Sequence, residues 1–268
     1  MDPTIVASQK KHDMLSAFWP RKVSPYITKV LVHTPITPNQ TTVLWGVISV
    51  LNSGLVYLAM LGQYWLVPII PVVYVFAFVL DCVDGEIARY KSIANPVGGK
   101  LLDGISHRAT EYSLLVAFSL AAFALTSSWW AVFVGGLLFA GDAMYSYVYE
   151  RRLSTLRLHA GFTGRIKHSE TGVYERGTPF RALTRDQRIR TVTGQLKQYK
   201  SIYPVILASY ISPIVLLGGL AALALFKHWR WISLVARTLH EVRPGDGKLP
   251  SAAAEAETPV TAAGGAQI

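Results

Sequence analysis

The sequence predicts an all-α integral membrane protein: a bundle of five plain transmembrane helices, with a sixth expected, and an N-terminal interfacial helix. Three observations lead there. Apolar residues make up 51% of the 268 positions and charged residues only 16%, against about 25% charged in soluble domains. The charges are also gathered at intervals. No Asp, Glu, Lys or Arg falls between Lys29 and Asp81, between Glu111 and Asp142, or between Lys200 and Lys227. A span needs roughly 20 mostly apolar residues, so the first gap holds two spans and the others one each. A further span runs on past Asp103.

Three segments follow along the chain: 1–41, a cytoplasmic or interfacial lead; 42–243, the transmembrane domain; and 244–268, a tail expected to be disordered. The lead mixes Leu15, Phe18, Trp19, Ile27 and Val30 with basic residues, as a helix on a membrane surface does. Pro20 and Pro25 are expected to break it into pieces. No cleavable signal pattern is seen there, so the first span is expected to double as the targeting signal. "TPITPNQTT" supplies turn and N-cap residues before span one, about 42–62. Gly62 and Gln63 mark a turn. Span two is about 64–88, with Pro68 and Pro71 in its first turns. "YKSIANPVGG" connects to span three, about 100–126. "SSWW" opens span four, which ends near Tyr149, and its aromatic pair suits the interface. Span five is about 201–226. "HWRWISLVARTLHEV" is too short and too charged for an easy crossing. The tail has almost no large apolar residues to bury.

The net charge of +10 is informative by its placement. Residues 151–200 hold 12 Lys/Arg against Glu170, Glu175 and Asp186. The positive-inside rule places that segment in the cytoplasm, near anionic lipid head groups, and no nucleic-acid partner is expected. With the N-terminus also cytoplasmic, five spans put Lys227, Arg230 and Arg237 on the wrong side, and this discord argues for a further pass. The single cysteine, Cys82, can form neither an intrachain disulfide nor a cysteine-only metal site. It reads as a small apolar filler on a buried helix.

The stretch from Leu80 to Arg108 carries the chemistry. Asp81 and Asp84 share a helix face at i and i+3, and Asp103 and His107 share one at i and i+4. The tight connection between spans two and three brings the two faces together. Three carboxylates close to one another near a membrane repel and lose hydration, at a cost of several kcal/mol. A divalent cation removes both costs, and oxygen ligands favour Mg²⁺, Mn²⁺ or Ca²⁺ over zinc. The competing explanation is ion pairing with Arg89 and Arg108. It leaves one acid over, and it does not require the small residues Gly85 and Ala88 on the same helix.

This pattern resembles the CDP-alcohol phosphotransferase family, whose signature is D-x2-D-G-x2-A-R, eight or nine residues, then G-x3-D-x3-D. Here stand Asp81, Asp84, Gly85, Ala88, Arg89, a nine-residue gap, Gly99 and Asp103, with His107 where the fourth aspartate belongs. "TPNQTT" and Arg108 also look like the family's flanking residues. The resemblance implies a six-span homodimer with a site facing the cytoplasm. It implies phospholipid biosynthesis: transfer of a phosphoryl-alcohol group, with CDP-diacylglycerol as the expected donor, to a small alcohol or polyol-phosphate hydroxyl, with release of CMP. Asp81, Asp84 and Asp103 hold the cofactor, Mg²⁺ or Mn²⁺. Asn39, Thr42, Asp81, Gly85, Ala88 and Arg89 bind the CDP-linked donor.

His107 departs from the family pattern. Neutral imidazole is a good base near neutral pH and can also ligate a metal. As general base it takes the acceptor's proton, with Glu111 at i+4 expected to orient it. The alternative pairs Glu111 with Arg108. Asp142 and Tyr145 on span four are further candidates for the cavity. Two other functions stay open on these residues alone: a family member turned non-catalytic membrane partner, and a cation-binding transporter. The basic segment favours an anionic acceptor.

Overall fold

The long apolar stretches become helices in the computed structural model, which describes residues 3–9, 12–14, 18–93, 98–159, 173–175, 179–189 and 202–241. The helices are α1 (Pro3–Ser8), α2 (Pro20–Leu31), α3 (Pro38–Met60), α4 (Ile69–Tyr90), α5 (Gly98–Thr126), α6 (Trp129–His159), α7 (Ile202–Ile211) and α8 (Pro213–Glu241). One short antiparallel pair, β1 (His12–Met14) with β2 (Val173–Glu175), is the only strand pairing among the described residues. The fold is all-α. Among the described residues, five stretches are long and apolar enough to cross a membrane: Pro38–Met60, Tyr64–Tyr90, Gly98–Thr126, Trp129–Arg152 and Pro213–Ala236. The chain is an integral multi-pass membrane protein. The expected tail and most of the basic segment lie outside the described residues.

The chain divides into two units: Met1–Gly136 with His168–Ala221, and Leu137–Lys167 with Ala222–Ile268. In the first unit α3 packs on α4 and α5, while α1 and α2 pack on α4. Apolar residues seal the second of these contacts, with Ile5, Val32, Val79, Val83 and Ile87 buried together.

One expectation about prolines is corrected. Pro25 does not break α2, which runs unbroken from Pro20 to Leu31. A proline has no N–H to offer the carbonyl four residues back, here that of Arg21. The Gln9 side chain fills the gap, its Nε2 donating to the Arg21 carbonyl at 2.9 Å. Pro68 and Pro71 stand at the start of α4, as expected. Tyr64–Leu66 form a 3₁₀ turn, Pro68 is the N-cap and the helix starts at Ile69. Pro71 then falls in the first turn, where backbone N–H groups have no intrahelical partner anyway.

The expected fifth span, 201–226, is two helices. Helix α7 ends at Ile211 and α8 starts at Pro213. Between them Ser212 caps α8, its Oγ accepting from the Ile214 N–H at 3.2 Å. A serine N-cap followed by proline at the first helical position is a helix-start signal, and it was present in "ISPIV". The C-terminal end of α7 sits at the α3–α4 turn. Tyr210 donates its hydroxyl to the Ala59 carbonyl at 2.8 Å, and its ring meets Tyr64 edge-on at 4.6 Å. Gly62 makes that turn with a φ of 102°, a conformation only glycine adopts freely.

Small residues set how closely the helices approach. A Cβ on Gly135 of α6 would lie 2.1 Å from Ser119 Oγ and 2.6 Å from Ser119 Cβ of α5. Gly135→Ala is therefore expected to cost about 1–3 kcal/mol by overpacking. Adding Ser119→Gly should recover most of that loss. Melting temperatures of the two variants in detergent check this, and equal stability of Gly135→Ala and the parent would refute it.

Candidate active site

The site is assembled on three helices, and α3 fixes its floor. A capping box starts that helix: Thr37 Oγ1 accepts from the Gln40 N–H, and Gln40 Oε1 accepts from the Thr37 N–H. With the first turn held, Thr42 and Trp45 fall on one face at i and i+3. Both are buried, and both donate to the same oxygen of Asp84. Thr42 Oγ1 lies 2.7 Å and Trp45 Nε1 3.3 Å from Oδ2. Asp84 is thereby aimed by two neutral donors and not by a cation.

Helix α5 brings the other half. It approaches α3 closely at Gly46, where an added Cβ would lie 3.1 Å from Ser106 Cβ and Oγ. That buries Ser106 and lays the next residue, His107, over Trp45 with ring centroids 4.8 Å apart. His107 Nε2 then lies 3.4 Å from Asp103 Oδ1 and 3.7 Å from Asp81 Oδ1. One ligand atom from each of Asp81, Asp103 and His107 falls within 4.8 Å of the other two. The His107 and Asp103 side chains are 50% and 44% exposed, so the cluster is open to a ligand from outside the bundle. Two carboxylates and an imidazole at this spacing make a donor set for a divalent cation. Asp84 stands on the same face of α4, one turn beyond Asp81.

The remaining expected residues fall as follows. Gly85 lies beneath the Arg89 guanidinium, since a Cβ there would come within 3.1 Å of NH1. Arg89 Nε donates to the Ser8 carbonyl of α1. Ala88 is half-buried on the same helix, and Asn39 is exposed in the first turn of α3. Glu111 is corrected: its Oε2 accepts from Arg108 NH1 at 2.7 Å, and the carboxylates beside His107 are Asp81 and Asp103. At i and i+3 the flexible arginine reaches the acid more readily than the imidazole does. Asp142 and Tyr145 engage α8: Lys227 pairs with Asp142, and Arg230 covers the Tyr145 ring at 3.9 Å. Cys82 is buried, as expected of a filler.

A family model described as CDP-alcohol phosphatidyltransferase matches residues 35–172. The chain belongs to that family. That family is described by a transferase activity, and the transporter reading has no comparable support. A similar protein from Thermococcus kodakarensis is named bifunctional IPC transferase and DIPP synthase. It is 34% identical over 134 residues, covering 49% of this chain and 28% of that protein, so the two share much less than the relative's full length. The family match over residues 35–172 contains every residue of α3, α4 and α5 that builds the cluster.

Two residues of this family member escaped the reading of its sequence. Trp45 carried a signal, its spacing of three from Thr42 on the helix that precedes the motif. Glu86 carried another, a further acid in a span with no partner in view. The Thr42 and Trp45 bonds yield a test. Thr42→Val keeps the shape and removes the shorter hydrogen bond to Asp84. It should lower transferase turnover by about 10–100-fold, the usual effect of losing a group that orients a ligand carboxylate. Release of CMP from CDP-diacylglycerol measures it, and parental turnover would show that Asp84 needs no such support.

Proposed function

We propose that this phosphotransferase takes CDP-diacylglycerol as donor and moves its phosphatidyl group to the hydroxyl of a small alcohol or polyol phosphate, releasing CMP at a site facing the cytoplasm. The observation that carries it is the convergence of Asp81, Asp103 and His107 beside Asp84, within a family whose reaction leaves CMP. Asp81, Asp84 and Asp103 would hold Mg²⁺ or Mn²⁺. When bound, the cation offsets negative charge that grows on the phosphate oxygens. Gly85 lets the Arg89 guanidinium lie close against α4 as a cation for the donor's phosphates, with Ala88, Asn39 and Thr42 at the edge of the donor's place. His107 takes the proton of the acceptor hydroxyl through a ring nitrogen, and Trp45 holds the ring at its angle.

A second role for His107 has its own support. Nε2 points at both Asp81 and Asp103, which is where a fourth ligand atom would stand. His107→Ala separates the two. As base, its loss should cut turnover by about 10²–10⁴-fold while Mn²⁺ affinity stays the same. As ligand, its loss should weaken Mn²⁺ binding in calorimetry by about 10-fold or more. His107→Asp restores the family residue and should retain activity. Asp81→Asn should abolish both turnover and the thermal stabilisation by Mn²⁺. An active Asp81→Asn protein would end the proposal.

Orientation rests on charge and on the break at Ser212. Helix α7 ends at the turn between the first two spans, and α8 starts there with a run long enough to cross again. Six crossings return Lys227, Arg230 and Arg237 to the side of Arg151 and Arg152, removing the discord in the positive-inside pattern. The family also makes a homodimer the expected assembly. A reporter fused after Lys248 should read cytoplasmic; an external signal would leave five crossings.

A further inference from the structure

Helix α4 has a second polar face, and it lies against a segment outside the family match, which begins at residue 35. Glu86 on that face is fully buried. Its Oε1 accepts from Ser24 Oγ at 2.6 Å, from Arg21 NH1 at 3.2 Å and from Gln9 Nε2 at 3.2 Å; its Oε2 accepts from Thr28 Oγ1 at 2.6 Å. Gln9 follows Ser8, whose carbonyl accepts from Arg89 Nε. The path is a closed ring: Glu86 to Gln9, Gln9 to Ser8 along the backbone, Ser8 to Arg89, and back one turn of α4 to Glu86. Its outcome is the Arg89 guanidinium laid over Gly85. The side chain has somewhere else to go, because a cavity of about 490 Å³ lined by Thr4, Ala7, Ser8, Arg89 and Tyr90 opens beside it. Position round the helix fits this link. At roughly 100° per residue, Arg89 falls between the face of Asp81 and Gly85 and the face of Glu86.

We propose that Glu86 is a positioning residue for the donor pocket: through Gln9 and Ser8 it holds the Arg89 guanidinium over Gly85, so the N-terminal segment is a working part of the site. This rests on the donor role proposed above for Arg89. Glu86 itself touches no substrate. The ring explains why Pro25 is kept whole within α2, since the same Gln9 amide serves both the Arg21 carbonyl and Glu86.

The test uses full-length protein in detergent micelles, with CDP-diacylglycerol as probe at saturating Mn²⁺. Gln9→Ala and Glu86→Gln should each weaken probe binding by about tenfold, the effect of misplacing one charged hydrogen-bonding group, with Mn²⁺ affinity unchanged. Arg89→Ala should weaken it at least as much. In the Arg89→Ala background, Gln9→Ala should add less than about twofold, since two residues acting through one contact are not additive. Asn52→Ala, which removes a buried bond from Asn52 Nδ2 to the Ile70 carbonyl, controls for general loosening: it should lower the melting temperature and leave binding unchanged. Unchanged binding in both Gln9→Ala and Glu86→Gln would make the ring a structural anchor only and overturn the inference. So would an equal loss on adding Gln9→Ala to Arg89→Ala. Unchanged binding in Arg89→Ala alone would instead remove the donor role of Arg89, and the inference with it.

Discussion

Three carboxylates on one apolar helix set the terms for the rest of the protein. Asp81, Asp84 and Glu86 all belong to α4, a helix otherwise made of Ile, Val, Phe, Leu and Ala over most of its length. A carboxylate in such a setting costs several kcal/mol unless something compensates it. The spacing decides who can. At roughly 100° per residue, Asp84 lies about 60° to one side of Asp81 and Glu86 about 140° to the other. Each acid therefore faces a different neighbour. Asp84 faces α3 and receives Thr42 and Trp45. Glu86 faces α2 and receives Arg21, Ser24 and Thr28. Asp81 faces α5 and meets His107. Two helices packed on α4, with His107 reaching across from α5, answer three separate electrostatic demands.

Close approach between the helices makes those answers geometrically possible. The hydrogen bond from Thr42 to Asp84 and the ring contact between Trp45 and His107 both need α3 near its neighbours on two sides. Gly46 supplies one side by letting Ser106 sit against bare backbone. A larger residue there would push α5 outward, and with it Asp103 and His107 on the same face. Small residues are the usual means of such contacts in membranes, where burial against another helix gains little over burial in lipid.

Much of this was legible in the sequence, because the strongest signals were long. Runs without charge located the spans, and the spacing of Asp81, Asp84, Asp103 and His107 located the cluster. What was not legible depended on contacts distant along the chain. Pro25 read as a break because its missing N–H was weighed without the Gln9 amide, sixteen residues earlier, that takes over the orphaned carbonyl. Glu111 read as a partner of His107 because spacing allows i and i+4, yet it allows the contact with Arg108 equally well. The division at Ser212 was readable from the Ser-Pro pair and was overridden by the apolar run on either side. Hydropathy reports how much sequence can sit in lipid; it does not report where that sequence turns.

The two kinds of compensation on α4 separate structure from chemistry. Glu86 has its own cation and three neutral donors, all supplied by the chain, and it is fully buried. Nothing from outside is needed to satisfy it, which suits a residue that positions others and binds no ligand itself. Asp81 and Asp103 meet an imidazole and each other's neighbourhood, and Asp103 is nearly half exposed. Asp84 receives hydroxyl and indole donors, which orient a carboxylate without matching its charge. An aimed Asp84 beside an accessible Asp103 and His107 is the arrangement expected of a binding site. Arg89 stands where the two faces meet, tethered to the N-terminal segment and lying over Gly85. Helix α4 thus carries on one side the reason the protein holds together and on the other the groups proposed to do its chemistry.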